Sequence, residues 1–258
     1  MHALSAWAAS LPAMLALGVL VWVLATAKRN AAIVDVFWSL FFLLGATAQA
    51  LTAQPESLRA TLVLVLVAIW ALRLSAFLAW RNWGEPEDRR YVAIRARNQP
   101  GFAWKSLFLV FLLQAVLAWL VGAPLAAAIA SHAPLGLLDA LGALLLLGGL
   151  GCETLADLQL ARFRRDPASH GRVLDRGLWR YSRHPNYFGE CCVWWGFYLI
   201  ACAGGGAWTV FAPALMTLLL LRVSGVTLLE KDIAERRPAY REYVARTNAF
   251  FPGPRRPV

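Results

Sequence analysis

The segment with the most evident chemistry is the motif RYSRHPNYFGE at residues 180–190. Proline is favoured in the first turn of a helix, so Pro185 predicts a helix start here. The free N–H groups of a helix start bind anions, and Arg180 and Arg183 flank this one. Asn186 and Glu190 are four residues apart and share a helix face, so both can reach one ligand. The alternative is a basic anchor followed by an ordinary helix cap.

Ionisable residues within apolar runs are costly in a membrane, so each is a candidate functional group. Five such residues stand out: Asp35, Arg73, Glu153, Asp157 and Glu190. Counted from the nearest basic loops, all five lie in one layer close to the same membrane face. We therefore predict a polar pocket that opens on that side. For Asp35 and Arg73 the alternative is a buried ion pair that fixes helix packing.

The acids that follow residue 150 share a helix face with an arginine. At about 100° per residue, Glu153, Asp157 and Arg164 fall within about 40° of one another. This face presents hydrogen-bond acceptors deep in the membrane and a cation at its edge. Such an arrangement suits a ligand with hydroxyl or amino groups at one end and an anion at the other.

These side chains are positioned by long apolar segments. The chain has 258 residues, of which 59% are hydrophobic and 16% charged. Runs of about 20 apolar residues cross a membrane as helices, because the backbone must satisfy its own hydrogen bonds there. Seven runs are present, at roughly 4–27, 31–51, 58–80, 105–130, 134–160, 186–203 and 207–229. The sequence predicts one all-α membrane domain, a polytopic bundle of about seven transmembrane helices.

The basic residues predict the orientation of this bundle. They cluster after the first, third, fifth and seventh runs, whereas the alternate loops hold almost none besides Arg59. By the positive-inside rule the N-terminus is outside and the C-terminus is cytoplasmic. We expect an integral protein of a bacterial inner membrane, with its active site open to the cytoplasm.

Composition also excludes several classes of protein. The net charge of +10 lies in short loops, so anionic headgroups rather than nucleic acid are the expected partners. The four cysteines form no CxxC and the four histidines form no cluster, so no metal site is predicted.

The segments GLWRYSRHPNYFGE (177–190) and ETLADLQLARFRR (153–165) resemble the steroid 5-alpha-reductase family, in its bacterial branch. The resemblance covers about 145–252 and implies that NADPH binds between the C-terminal membrane helices. It implies nucleotide-binding roles for Asp157, Arg164, Arg172, Asn186 and Glu190. Glu153 takes a position that is often Asn in the animal enzymes. With the anion-site arginines Arg180 and Arg183, the expected cofactor site also includes His184, Tyr187 and the tail residues Tyr240 and Tyr243.

The N-terminal half departs from the family pattern. The second run reads VDVFW (34–38) with Asp35 as its only acid, and the third reads IWALR (69–73) with Trp in the place of the family's Tyr. We predict that 1–130 is the substrate side and that 131–258, with loop 161–185 and an interfacial tail 230–258, is the cofactor half. The expected activity is NADPH-dependent reduction of a C=C bond, conjugated to a carbonyl, in a steroid-like or other lipid substrate. Asp35 and Arg73 are the candidate catalytic residues.

Two other functions stay open. The RHPNY…GE region, with Glu230 and the tail tyrosines, also resembles isoprenylcysteine carboxyl methyltransferases, which bind S-adenosylmethionine and would methylate a lipid or prenylated substrate. The many arginines of loop 161–183 favour a multiply phosphorylated ligand over this zwitterion. The third possibility is a lipid-binding or transport site without catalysis, for which repeat symmetry is expected and not seen.

Overall fold

The computed structural model describes residues 2–54, 57–223 and 239–256, and every regular element in these ranges is helical. The all-α prediction is therefore confirmed. Residues 224–238, which include Glu230 and the first part of the predicted interfacial tail, lie outside the described residues. The α-helices are α1 His2–Ala27, α2 Ile33–Ala53, α3 Leu58–Asn82, α4 Arg89–Arg97, α5 Phe102–Ser106, α6 Leu113–Val121, α7 Ala123–Ile129, α8 Leu137–Arg165, α9 Pro185–Ala203, α10 Phe211–Leu218 and α11 Tyr240–Arg246.

Several long apolar helices make this an integral membrane protein. Five described segments are long and apolar enough to cross a membrane: Ala3–Ala27, Ile33–Ala53, Leu58–Asn82, Phe102–Val121 and Leu137–Arg165. Helix α9 has 19 residues, but polar side chains in its first two turns lower its hydropathy. The apolar segment Ala207–Arg222 is shorter than the other spans. The count of seven spans and the orientation remain predictions.

The predicted fourth run, 105–130, is interrupted twice. A π-helical segment, Leu107–Leu112, joins α5 to α6. The chain then breaks at Gly122, and Pro124 stands in the first turn of α7. A further helix, α4, was not predicted, although Asp88 supplies a side-chain cap by accepting a hydrogen bond from the Arg90 backbone N–H at 2.9 Å.

The described chain divides into two compact units. The first comprises residues 1–139 and 200–212, and the second comprises 140–199 and 213–258. In the first unit α1, α2 and α3 pack with α6 and α7. Its largest buried side chains include Phe41, Phe42 and Trp70, and the rings of Phe42 and Trp70 meet edge to face at 5.5 Å.

One buried ion pair anchors the loop between α7 and α8. Arg59 and Asp139 have side-chain exposures of 1% and 3% and form a bidentate contact, with N···O distances of 2.7 and 2.9 Å. The remaining guanidinium N–H groups donate to the Ser131 hydroxyl and to the carbonyls of Ala133 and Pro134. Arg59 is therefore a buried, paired charge in the first turn of α3.

Replacing Arg59 by Met should lower the melting temperature of the detergent-purified protein markedly. The change leaves the Asp139 carboxylate buried without its cation, which costs about 3–5 kcal/mol. The matched control is Arg97→Met, because Arg97 is exposed. Equal melting temperatures for the two variants would contradict a structural role for the ion pair.

Candidate functional site

Glycines bring α8 and α9 unusually close in the second unit. A Cβ added to Gly189 would lie 2.5 Å from the Gly149 carbonyl oxygen, and one added to Gly149 would lie 2.6 Å from that of Gly189. A second contact places Gly196 against the backbone of Gly142, so the two helices run antiparallel. Backbones approach this closely only where neither residue carries a side chain.

This contact carries the predicted polar residues. Glu153, Asp157 and Glu190 are each about 95% buried. The Asn186 side-chain N–H₂ donates to Asp157 Oδ1 at 3.1 Å, and the Trp194 indole N–H donates to Glu190 Oε1 at 3.0 Å. The structure therefore brings Asp157 and Asn186 together. Buried carboxylates accept hydrogen bonds strongly, so this surface suits a ligand with hydroxyl or amide donors.

Helix α9 begins at Pro185, as predicted, and the residues before it are held by the tail. The Arg183 Nη1 group donates to the carbonyls of Val244 and Thr247, at 3.1 and 2.5 Å. The Ser182 hydroxyl accepts from the His184 backbone N–H and donates to the Phe250 carbonyl. Arg183 thus fixes the C-terminal end of α11. The contact of Arg183 with an anion stays a prediction.

The other members of the motif face different surroundings. The His184 ring stacks on Tyr187 with centroids 5.6 Å apart and planes 4° from parallel. Arg180 is exposed. Of the predicted tail residues, Tyr243 is buried and its hydroxyl donates to the Trp179 carbonyl at 2.6 Å. Burial raises the pKa of Tyr243. Tyr240 packs edge to face on Tyr243 at 5.3 Å.

The basic loop after α8 is folded over a small apolar core. Ala156, Leu174 and Trp179 are buried together there. Helix α8 extends to Arg165, five residues beyond the predicted end of the run. Arg164 is exposed, unlike Glu153 and Asp157 on the same predicted face. The exposed arginines of this region are Arg162, Arg164, Arg165, Arg172, Arg176 and Arg180.

A cleft of about 390 Å³ opens beside this loop. Phe163 and Leu174 give it an apolar wall, and Arg162 and Arg176 supply cations. Gln159 also lines it and accepts a hydrogen bond from the Leu178 backbone N–H at 3.0 Å. An apolar wall beside two guanidinium groups is a surface on which an aromatic ring and a phosphate can bind together.

The first unit holds the predicted catalytic residues Asp35 and Arg73. Asp35 pairs with Arg90 at 2.8 Å and accepts a hydrogen bond from the Tyr91 hydroxyl at 2.6 Å. Asp35 therefore has partners on α4. The ion pair between Asp35 and Arg73, which was the alternative to a catalytic role, stays a prediction. Arg90 and Tyr91 come from α4, the helix that the apolar pattern did not predict. Arg73 is partly buried in α3.

Tyr91 is the functional candidate that the sequence analysis missed. It is about 95% buried, and its hydroxyl donates to Asp35 and accepts from the Gln114 side-chain N–H₂ at 3.1 Å. Burial raises the pKa of Tyr91 well above its ordinary value, and the Asp35 carboxylate raises it further. The phenol stays protonated at neutral pH and can donate a hydrogen bond. The capping Asp88 before RRYVAIRAR is the signal that could have revealed α4.

Among the described residues, no group of three or more His, Cys, Asp or Glu side chains is placed to hold a metal ion. The site is thus built from carboxylates, amides, arginines and aromatic rings.

The fold and the site define an all-helical integral membrane protein with acids buried at a close helix–helix contact. The chain belongs to the DUF1295 family, described as a protein of unknown function, whose pattern matches residues 21–247. In general terms this family is steroid 5-alpha-reductase-like. The chain is also similar to Uncharacterized protein C594.04c of Schizosaccharomyces pombe, with 27% identity over 267 residues covering 92% of this chain and 76% of the yeast protein. No solved structure matches the chain significantly.

The glycine contact predicts a sharp difference between two alanine substitutions. Gly189→Ala forces the backbones of α8 and α9 apart and should lower stability by about 1–3 kcal/mol. Gly151→Ala is the matched control, because nothing lies within 4 Å of a Cβ added there. Gly151→Ala should be neutral or stabilise by up to about 1 kcal/mol, since alanine favours a helix. Thermal unfolding in detergent measures both, and equal effects would refute the close contact.

Proposed function

We propose that this protein is a membrane-embedded, NADPH-dependent reductase of a C=C bond conjugated to a carbonyl in a lipid-like substrate. The observation that carries the proposal is the set of buried acceptors at the α8–α9 contact, Glu153, Asp157 and Glu190 with Asn186. An arginine-rich loop follows directly in sequence. This combination of acceptors and cations matches a ligand that carries both hydroxyl groups and phosphates.

The side chains of the second unit fit the chemical groups of NADPH. Ribose hydroxyls and the nicotinamide amide are donors, for which Asp157 and Glu190 are acceptors. Phosphate groups are bound by guanidinium groups, which the exposed arginines of 162–180 supply. The cleft beside Phe163 and Arg176 offers an apolar surface to an aromatic base. In this proposal His184, Tyr187 and Tyr243 hold the motif and the tail in place around the ligand.

When bound, NADPH supplies a hydride for the β-carbon of the substrate. The protein must then stabilise the negative charge that develops on the carbonyl oxygen. We assign this task to the Tyr91 phenol, whose single O–H turns from Asp35 to the substrate oxygen while Gln114 continues to donate to the phenol oxygen. Arg73 is a second candidate donor. Asp35 acts here as a positioning residue, whereas the sequence alone suggested it as the donor itself.

The competing function is methyl transfer from S-adenosylmethionine, because the RHPNY…GE motif is also similar to that of the isoprenylcysteine methyltransferases. That cofactor carries one carboxylate and no phosphate. The number of exposed arginines on the loop therefore favours NADPH.

Ligand-dependent thermal stability distinguishes the two cofactors. Detergent-purified protein should be stabilised by NADPH, by about 2.7 kcal/mol at 100 times the dissociation constant, and not by S-adenosylmethionine. Glu190→Gln should abolish the NADPH shift, because a buried acceptor of the ligand loses its charge. Glu85→Gln is the matched control, since Glu85 is exposed. A shift with S-adenosylmethionine alone, or an NADPH shift that survives Glu190→Gln unchanged, would overturn the assignment.

A further inference from the structure

A separate cavity of about 200 Å³ lies within the second unit, between the loop after α8 and the C-terminal tail. Two arginines, two carboxylates and a threonine give it most of its polar lining. These residues are Asp175, Glu242, Arg246, Thr247 and Arg255. The functions considered above assign no role to these five residues, although Tyr243, which also lines the cavity, was predicted to lie in the cofactor site.

Each arginine of this cavity is paired through a single nitrogen. Arg246 Nη2 contacts Glu242 Oε1 at 3.0 Å, and Arg255 Nη2 contacts Asp175 Oδ2 at 2.8 Å. In both pairs the carboxylate is the more exposed partner: 66% against 41% for Glu242 and Arg246, and 53% against 27% for Asp175 and Arg255. The carboxylates therefore stand at the rim, and the guanidinium groups lie deeper.

Three side-chain polar atoms of the residues that line the cavity are shielded from solvent and have no hydrogen-bond partner within residues 2–54, 57–223 and 239–256. They are Arg246 Nε, Arg255 Nε and Thr247 Oγ1. Thr247 is only 3% exposed. Buried polar groups without partners are rare, and each lowers stability unless a ligand or water completes it. Three such atoms among the lining residues of one cavity indicate a binding site for a hydrogen-bond acceptor.

We propose that this cavity binds a phosphate that retains at least one proton, either free inorganic phosphate or the phosphate monoester of a lipid headgroup. The two Nε–H groups donate charge-assisted hydrogen bonds to its oxygens, and the Thr247 hydroxyl donates a third. Carboxylates at the rim repel an anion unless the anion itself can donate. The P–OH group of a protonated phosphate can donate to Asp175 or Glu242, whereas sulfate has no such donor. This site does not depend on NADPH binding elsewhere in the protein.

The test is a titration of the full-length, detergent-purified protein with sodium phosphate near pH 6, where a monoester keeps part of its second proton. Calorimetry should show saturable binding of inorganic phosphate and much weaker binding of sulfate at equal ionic strength. Absence of saturable phosphate binding, or equal binding of sulfate, would overturn the proposal.

Thr247→Val separates binding from folding. Valine keeps the shape of the side chain and removes a hydroxyl that has no partner, so the ligand-free protein should be as stable as the wild type or more stable. Phosphate affinity should fall about tenfold, as expected for one lost hydrogen bond to a charged group.

Arg255→Lys, which keeps the charge and loses Nε, should weaken phosphate binding similarly. Arg97→Gln is the control, an exposed arginine outside the lining. Unchanged affinity in Thr247→Val and Arg255→Lys would refute the site.

A displacement experiment identifies the source of the phosphate. Short-chain phosphatidic acid that displaces phosphate at lower concentration than inorganic phosphate itself would identify a lipid headgroup, and failure to displace would identify the free anion. The titration is repeated with saturating NADPH. Unchanged phosphate affinity is expected because the two sites are separate, whereas competition would show that the cavity belongs to the cofactor site.

Discussion

The close approach of α8 and α9 is the constraint on which the second unit depends. Gly149 and Gly189 let two backbones meet where a single added Cβ would lie 2.5–2.6 Å from a carbonyl oxygen. One turn further along α8 the contact buries Glu153, and about two turns along Asp157 lies beside Asn186. Acids are costly to bury without partners, so the helices must be held in fixed register for these residues to persist. A rigid contact of this kind keeps acceptors in place before a ligand arrives.

The second stabilising feature is the connection between the motif and the tail. Arg183, Ser182 and Tyr243 join residues 179–184 to residues 243–250 through buried hydrogen bonds to backbone carbonyls. The described part of the tail, residues 239–256, is thereby part of the compact unit rather than a free surface segment. Arg183 shows why an arginine in a motif need not bind the ligand directly. A guanidinium that donates hydrogen bonds to two carbonyls at one helix end restricts the conformations of the neighbouring residues.

The sequence predicted the local features and missed the distant ones. Proline preference located the start of α9 at Pro185, and helical periodicity placed Glu153 and Asp157 on one buried face. Periodicity does not identify partners far away in the chain, so the contact between Asp35 and Tyr91, 56 residues apart, was not foreseen. Arg59 was counted as a loop charge because its partner, Asp139, lies 80 residues further on. The polar residues in the first two turns of α9 explain why this helix is less apolar than the five candidate membrane spans.

The most direct test of the proposed reductase is transfer of deuterium from NADPH labelled at the nicotinamide C4 position. Purified protein would be incubated with this cofactor and a panel of α,β-unsaturated carbonyl lipids, followed by mass spectrometry. The account predicts a reduced lipid with one deuterium at the β-carbon and one solvent proton at the α-carbon. It also predicts much slower formation by Tyr91→Phe, with NADPH binding intact. Methyl transfer from S-adenosylmethionine to lipid, with no deuterated product, would contradict it.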